Sequence, residues 1–394
     1  MTVVIESHQE YSPAMSKTIV EDKLKVDCDA VIHEIELDST WRENYSEPFR
    51  KYRKDFEVLK ENNPMGDDLP DFPISIEIES SYFCNLKCPF CPRVVNEGER
   101  EIKHIPEELW EKILNEIREN NLPSLLMDHE GESLMNPKLI SMIKQAKEAG
   151  VLDIWLHTNG NLLHKKKAEE LIDAGLTKVN FSIDAGKPNT YEVLRLGGKL
   201  DKVTKNINDF LEVKKEKEAH HLRVRVSFCL QEKNIGELKL FYDQWKNKVN
   251  MITYQDVLDF SVFDKPDNEM DLTEEELDAC YKEKEQTKFV CNQPWQTPII
   301  DVEGNVVPCG CPVREHNKDF YLGNLLKGDT IKSCWKGEKM TKLREMHLKG
   351  EYYKNPMCRV CVKTFRKSEA AALRLQKEHS SEISKIRKDI DQSL

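Results

Sequence analysis

From residue 74 onward, the polar and apolar positions of this chain alternate between two periods. Runs of period two, which read as strands, fall at 74–79, 124–128, 153–157, 178–184, 222–230 and 251–257. Between them lie stretches with apolar residues three and four apart, among them 107–119, 137–149 and 199–215, which read as helices. Strand and helix in regular alternation call for parallel strands joined by crossover helices. Six such units predict an α/β chain folded as a partial (β/α)6 TIM-like barrel, with its chemistry at the C-terminal ends of the strands.

Alternation within each strand gives direction. Val179, Phe181 and Ile183 are expected to face the helices, leaving Asn180, Ser182 and Asp184 toward the lumen. The same rule turns Glu77 and Glu79 inward on the first strand, Trp155, His157 and Asn159 on the third, and Arg223, Arg225, Ser227, Cys229 and Gln231 on the fifth. Such a lumen is polar and carries both signs of charge, which suits a hydrophilic ligand better than a lipid.

Before the barrel, residues 30–37 alternate like a short strand. Residues 39–62 read as one helix with Trp41, Tyr45, Phe49, Tyr52 and Phe56 on a stripe that packs on a core. After it, a charged helical stretch at 272–286 precedes two apolar runs joined at Glu303-Gly304-Asn305, a hairpin turned by Gly304. The division expected is an N-terminal extension of unassigned role (1–73), the barrel (74–270), a small C-terminal β-hairpin/helical domain (271–361) and a charged helical or disordered tail (362–394).

Lys and Arg total 59 against 70 Asp and Glu, a formal charge of −11, so no global basic field attracts nucleic acid. No apolar run is long enough to span a bilayer. Twelve cysteines point to metal ligation in a reducing, cytoplasmic setting rather than to disulfides.

The cysteines fall into two groups. Cys84, Cys88 and Cys91, in Cys84-Asn85-Leu86-Lys87-Cys88-Pro89-Phe90-Cys91, follow the first barrel strand. Three thiolates at this spacing suit three corners of an iron–sulfur cube, the plainer readings being zinc or buried thiols. The loop resembles the motif of the radical S-adenosylmethionine (radical SAM) superfamily, and Phe90 before the last cysteine strengthens the match. The resemblance implies a [4Fe-4S] cluster on Cys84, Cys88 and Cys91, with S-adenosylmethionine chelated at its open iron. Glu130-Gly131-Glu132-Ser133 stands where the family has a Gly-Gly-Glu-Pro-like sequence, with Glu130 replacing the first glycine and Ser133 the proline. Phe181-Ser182-Ile183-Asp184 resembles the ribose-contacting strand end, and Arg195 the arginine that pairs with the cofactor's carboxylate. By resemblance, cofactor contacts are expected at Phe90, Gly131, Glu132, Ser182, Asp184 and Arg195.

Cys291, Cys309, Cys358 and Cys361 resemble the C-terminal SPASM and twitch extensions of radical SAM enzymes. Twitch is the better match, because no cysteine follows Cys361. The implied cofactor is one auxiliary [4Fe-4S] cluster, with structural zinc as the alternative. Cys311 and Cys334 are rival ligands, and Cys28 and Cys280 are expected to be free buried thiols.

The resemblance implies reductive cleavage of S-adenosylmethionine to a 5'-deoxyadenosyl radical, fed by a low-potential donor such as flavodoxin or ferredoxin. An auxiliary electron acceptor then favours dehydrogenation of a polar small molecule of the sugar or aminocyclitol type, with Asp184, Glu77 or His157 as candidate base. The competing expectation is modification of a peptide or protein by epimerisation, thioether formation or residue oxidation. In epimerisation Cys229 or Cys334 would return a hydrogen atom. A binding or electron-transfer module would have no use for Glu132, Ser182 and Arg195.

Overall fold

The computed structural model describes residues 32–95, 100–256, 291–310, 315–359 and 361. The stretch 272–286, the tail from 362, and Cys28, Cys280 and Cys311 lie outside these residues. In chain order the barrel elements are β1 (Ile32–Glu36), α1 (Glu47–Asn62), β2 (Ser75–Ile78), α2 (Pro92–Val95), α3 (Glu107–Asn120), β3 (Ser124–Leu126) and α4 (Leu139–Glu148). They continue with β4 (Asp153–Thr158), α5 (Lys165–Ala174), β5 (Lys178–Ser182), α6 (Pro188–Leu194), α7 (Leu200–Glu216), β6 (Arg223–Leu230), α8 (Leu238–Trp245) and β7 (Met251–Asp256). The C-terminal part adds β8 (Ile299–Ile300), β9 (Asn305–Val307), β10 (Gly323–Asn324), α9 (Ile331–Lys336) and α10 (Glu338–Leu348).

All strands join one ten-stranded open sheet in the order β1-β7-β6-β5-β4-β3-β2-β8-β9-β10. The run β2 to β7 is parallel throughout, which is the expected six-unit partial barrel. The alternation sorted the faces correctly: Val179, Phe181, Val224, Val226 and Phe228 are fully buried. Phe181 meets Phe210 of α7, ring centroids 5.7 Å apart. Burying such side chains contributes about 1.5–3 kcal/mol each, which fixes the register because a one-residue slip would turn them into the lumen.

The N-terminal segment joins the sheet of the barrel. β1 pairs antiparallel with β7, so the N-terminal segment extends the barrel's own sheet and turns Glu34 toward Arg225. The single helix expected at 39–62 is two pieces. A 3-10 turn covers Thr40–Asn44, and α1 starts afresh where Ser46 accepts the Phe49 N–H and Pro48 occupies the first turn.

The aromatic stripe is core, as expected, and the core it forms surrounds a charge. Trp41, Tyr45 and Phe49 lie 5.1, 5.4 and 5.5 Å from the Arg223 guanidinium. Arg223 Nη2 donates to Asp153 Oδ1 at 2.6 Å, and Thr177 Oγ1 and Tyr52 OH also donate to that carboxylate. Asp153 and Arg223 begin β4 and β6, so this cluster seals the barrel at the end away from the cysteine loop. Burial alone would raise the Asp153 carboxyl, but Arg223 and Thr177 hold it below its ordinary value. Its contribution to stability is therefore present above the unfolded pKa and is lost as pH falls through the depressed folded one. Asp153→Ala leaves the guanidinium buried and unpaired and should cost about 3–5 kcal/mol, read as a lower urea midpoint at neutral pH.

The hairpin β8–β9 turns at Gly304 (φ 83°), as expected, and β8 continues the sheet by pairing parallel with β2. A second core of Leu69, Trp295, Ile299, Val307, Phe320, Trp335, Met340, Leu343 and Met357 forms beside it. Trp295 and Trp335 donate their indole N–H groups to Pro64 O and Pro70 O, both at 2.8 Å. The segment before β2 thus ties the C-terminal part to the barrel.

Candidate active site

The loop after β2 carries Cys84, Cys88 and Cys91. The turn closes through Cys91 N–H to Cys88 O (3.0 Å) and is pinned by Arg93 Nε to Tyr82 O (2.9 Å). Donors face the sulfurs: Leu86 N–H is 3.5 Å from Cys84 Sγ, and Arg195 Nη1 is 3.7 Å from Cys88 Sγ. Burial pushes the Cys84 thiol up to about 11, and it also raises Cys91, each beside the other cysteines of the loop. Buried neighbouring thiols with N–H donors aimed at them suit thiolates that share a cation. Among the described residues no group of three His, Cys, Asp or Glu side chains is set as closely as a metal site requires. The fit of a cluster therefore rests on the donor set and the groups around it.

The cofactor-like residues gather at the same end of the barrel. Gly131 passes so close to the cysteine loop that an added Cβ would stand 1.9 Å from Ser81 O, and the next residue donates Glu132 N–H to Phe83 O at 2.7 Å. Glu132 is buried, and its carboxylate accepts from Thr158 Oγ1 (2.7 Å), Asn159 N–H (2.8 Å) and Leu134 N–H (3.2 Å). It clasps the end of β4 to the loop. The two departures from the family sequence have partners of their own: Glu130 pairs with Arg100 at 3.5 Å, and Ser133 Oγ donates to Met127 O.

Arg195 pairs with Asp184 Oδ2 and stands 5.5 Å from the Phe90 ring. Its Nε is buried without a hydrogen-bond partner among the described residues, a donor left over for a carboxylate. Asp184 adopts a left-handed backbone (φ 63°) and its Oδ1 accepts Cys229 N–H at 2.7 Å, so it joins β6 to Arg195 instead of standing free as a base. Burial raises the Asp184 carboxyl, and Arg195 opposes that rise. Ser182 ends β5, half-buried and paired in register with Ser227.

Below this layer, the inward residues form charged chains. Glu77 Oε1 meets His129 Nδ1 at 2.8 Å. Burial opposes the charge on His129, but Glu77 and Glu79 prevail and raise it to about 9, an imidazolium at neutral pH. His157 Nδ1 meets Asp128 Oδ2 at 3.1 Å, its Nε2 meets Arg225 Nη2 at 3.1 Å, and Arg225 Nη1 reaches Glu34 at 3.0 Å. A guanidinium can only donate, so His157 Nε2 holds the lone pair and Nδ1–H points to Asp128. Glu79 is held by Arg100 at 2.5 Å, and Arg100 also lies 3.8 Å from Asp301 in the hairpin turn and over the Tyr82 ring. Asp301, pushed by burial to about 6, shares this cation with Glu79 and Glu130.

Sequence reasoning missed His129, Asp128, Arg100 and Glu34. Asp128-His129-Glu130 at the end of a strand was the available signal for the first two. Arg100 and Glu34 had none, since each takes its role from segments distant in the chain.

Of the C-terminal cysteines, Cys291, Cys309 and Cys358 stand beside one another. Cys309, Cys358 and Cys361 pack against the second core, and the Cys358 thiol is raised by burial and then by Cys309 and Cys291 beside it. His347 of α10, unread in the sequence, joins them: Cys291 N–H donates to Nδ1 at 3.4 Å, and Nε2 lies 3.4 Å from Cys358 Sγ. Burial pushes this imidazole down to about 4, so it is neutral. Cys334, the rival ligand, belongs to a different core from the one against which Cys309, Cys358 and Cys361 pack. It sits in the barrel core, its thiol pushed up to about 12 by burial and then by Asp329.

A domain model of the radical SAM superfamily matches residues 78–224, and one of the SPASM iron-sulfur cluster-binding domain matches residues 291–362. A probable GTP 3',8-cyclase of Methanococcus maripaludis is 33% identical over 148 residues, 38% of this chain and 47% of that protein. The GTP 3',8-cyclase of Alkaliphilus metalliredigens is 34% identical over 142 residues, 35% of this chain and 43% of its own. The chain spans about half the length of the curated relatives it matches. Among solved structures, anSMEcpe with bound AdoMet and Kp18Cys peptide shares the fold, with a TM-score of 0.52 at 15% identity, covering 78% of this chain and 99% of that one. Among the described residues no helix is long and apolar enough to cross a membrane. The two matched domains, in the order of the two cysteine sets and on the barrel expected for them, place this chain in the radical SAM superfamily, with a C-terminal SPASM iron-sulfur domain.

Proposed function

We propose that this enzyme dehydrogenates a polar small molecule of the sugar or aminocyclitol type held in the barrel lumen. Cys84, Cys88 and Cys91 hold the first cluster, and Gly131, Arg195 and Phe90 line the place of S-adenosylmethionine. Cys291, Cys309, Cys358 and Cys361 hold one auxiliary cluster. When bound, these groups supply a 5'-deoxyadenosyl radical and an electron acceptor. The chain itself must aim the C–H bond and take a proton.

The observation that carries this reading is the Asp128–His157–Arg225 chain in the lumen. Asp128 orients Nδ1–H, leaving the basic lone pair of His157 on Nε2 and facing Arg225. A substrate hydroxyl entering between them takes the Arg225 hydrogen bond and gives its proton to Nε2. Loss of one hydrogen atom, one proton and one electron turns a secondary alcohol into a ketone. A cytosolic flavodoxin or ferredoxin is the donor for cofactor cleavage.

The test is 5'-deoxyadenosine formation by anaerobically reconstituted protein offered a panel of aminosugars and aminocyclitols, with mass spectrometry for loss of two hydrogens. His157→Ala should lower ketone formation by about a hundredfold or more while cofactor cleavage continues. No stimulation by the polyol panel, with stimulation by peptides instead, overturns the proposal. One observation favours that second reading, redox-neutral peptide epimerisation. Cys229, half-buried at the end of β6, donates its N–H to Asp184, which pairs with Arg195 beside Cys88 of the first cysteine loop. Deuterium incorporation from heavy water, lost in Cys229→Ala, is its signature.

A further inference from the structure

Arg344 on α10 is fully buried. Its Nε donates to Pro294 O at 3.0 Å and its Nη1 to Trp335 O at 2.7 Å, and the guanidinium lies 4.1 Å from the Trp335 ring. Among the described residues Nη2 has no hydrogen-bond partner, and burial is the influence acting on the guanidinium, with no carboxylate beside it. Burying a cation without a counter-charge is strongly unfavourable, so the fold must bring an anion near it.

The groups that Arg344 holds lead to the cysteine set. Pro294 follows Cys291 by three residues, and His347 stands one turn beyond Arg344 on the same helix face. His347 receives the Cys291 N–H at Nδ1 (3.4 Å), so its ring proton resides on Nε2 and is donated toward Cys358 Sγ (3.4 Å). Four thiolates around an oxidised cubane core make a dianion, and reduction adds one more negative charge.

We propose that Arg344 and His347 are one device: a buried counter-cation and an N–H···S donor for the auxiliary cluster, both stabilising its reduced form and so raising its potential. This rests on Cys291, Cys309, Cys358 and Cys361 being the ligands. Neither residue touches substrate. They tune and position an electron acceptor through the groups that hold it. A purely structural clasp would tie the same carbonyls together but would leave the potential unmoved.

The test uses the full chain with Cys84, Cys88 and Cys91 changed to alanine, so that only the auxiliary cluster is observed in an EPR-monitored redox titration. His347→Leu and Arg344→Met should each lower the midpoint potential. His347→Gln, which keeps a donor, and Arg344→Lys, which keeps the charge, should stay nearer the parent. Leu and Met variants that retain iron at the parent's potential overturn the proposal, as do Gln and Lys variants shifted as far as Leu and Met. A parent without iron overturns the ligand reading and the inference with it. A loaded parent with no shift overturns the inference alone. Pulsed EPR of the reduced parent labelled with 15N-histidine needs no substitution at α10: a histidine nitrogen coupled to the cluster supports the hydrogen bond, and its absence overturns it.

Discussion

With Cys84, Cys88 and Cys91 all changed to alanine, the protein should form no 5'-deoxyadenosine under reduction, and its iron should fall from about eight to about four per chain. The loop supplies three neighbouring thiols between the end of β2 and α2, with Leu86 N–H and Arg195 Nη1 directed at their sulfurs. No other cysteine trio in the described residues lies at the C-terminal end of the barrel strands, where Gly131, Glu132 and Arg195 also gather. The auxiliary cysteines sit against a separate core built around Trp295 and Trp335, so their iron should survive. Continued cofactor cleavage in the triple variant would remove this loop from the chemistry. Loss of all iron would mean that the two sites do not load independently. Iron and sulfide analysis beside Mössbauer spectra reads both outcomes.

The second large effect is expected from a single methyl group. In Gly131→Ala the new Cβ would stand 1.9 Å from Ser81 O, 2.8 Å from Ser81 C and 2.9 Å from Phe83 O, all backbone atoms of the cysteine loop. Backbone has no rotamer with which to step aside, so the two loops must separate. That breaks the Glu132 N–H to Phe83 O bond of 2.7 Å and loosens the Glu132 clasp on Thr158 and Asn159. A cost of about 3 kcal/mol follows from overpacking of this severity. It should appear as a lower thermal midpoint and as loss of S-adenosylmethionine binding by calorimetry, even where the first cluster loads. A variant with the parent's affinity would show that the loops do not meet as closely in solution. Glycine is needed here for space, since Gly131 is not among the glycines at positive φ.

The legible parts of this molecule were those decided by near neighbours. Period-two runs located β2 to β7, because facing pairs such as Phe181 and Phe210 bury the outward set whatever the rest of the chain does. Cysteine spacing located the first loop, because a loop of a few residues limits how far apart its thiols can lie, whereas Cys291, Cys309, Cys358 and Cys361, far apart in the chain, were grouped by resemblance alone. Gly304 marked the hairpin, since the turn demands its positive φ. The helix expected at 39–62 failed for an equally local reason, the Ser46 cap and Pro48, whose signal the aromatic stripe outweighed.

Charged residues were the illegible part. In sequence, nothing singles out Arg344, His347 or Arg100. The structure buries Arg344 completely, brings His347 to Cys291 and Cys358, and sets Arg100 among Glu79, Glu130 and Asp301. Arg225 and Glu34, 191 residues apart, meet only because β1 returns to pair with β7. From the sequence alone came the barrel and the order of the two cysteine sets, since periodicity and spacing act over a few residues, and the superfamily came from the resemblance of their motifs. Tertiary structure alone decided which cation answers which anion, because a charge takes its role from a partner brought to it across the fold.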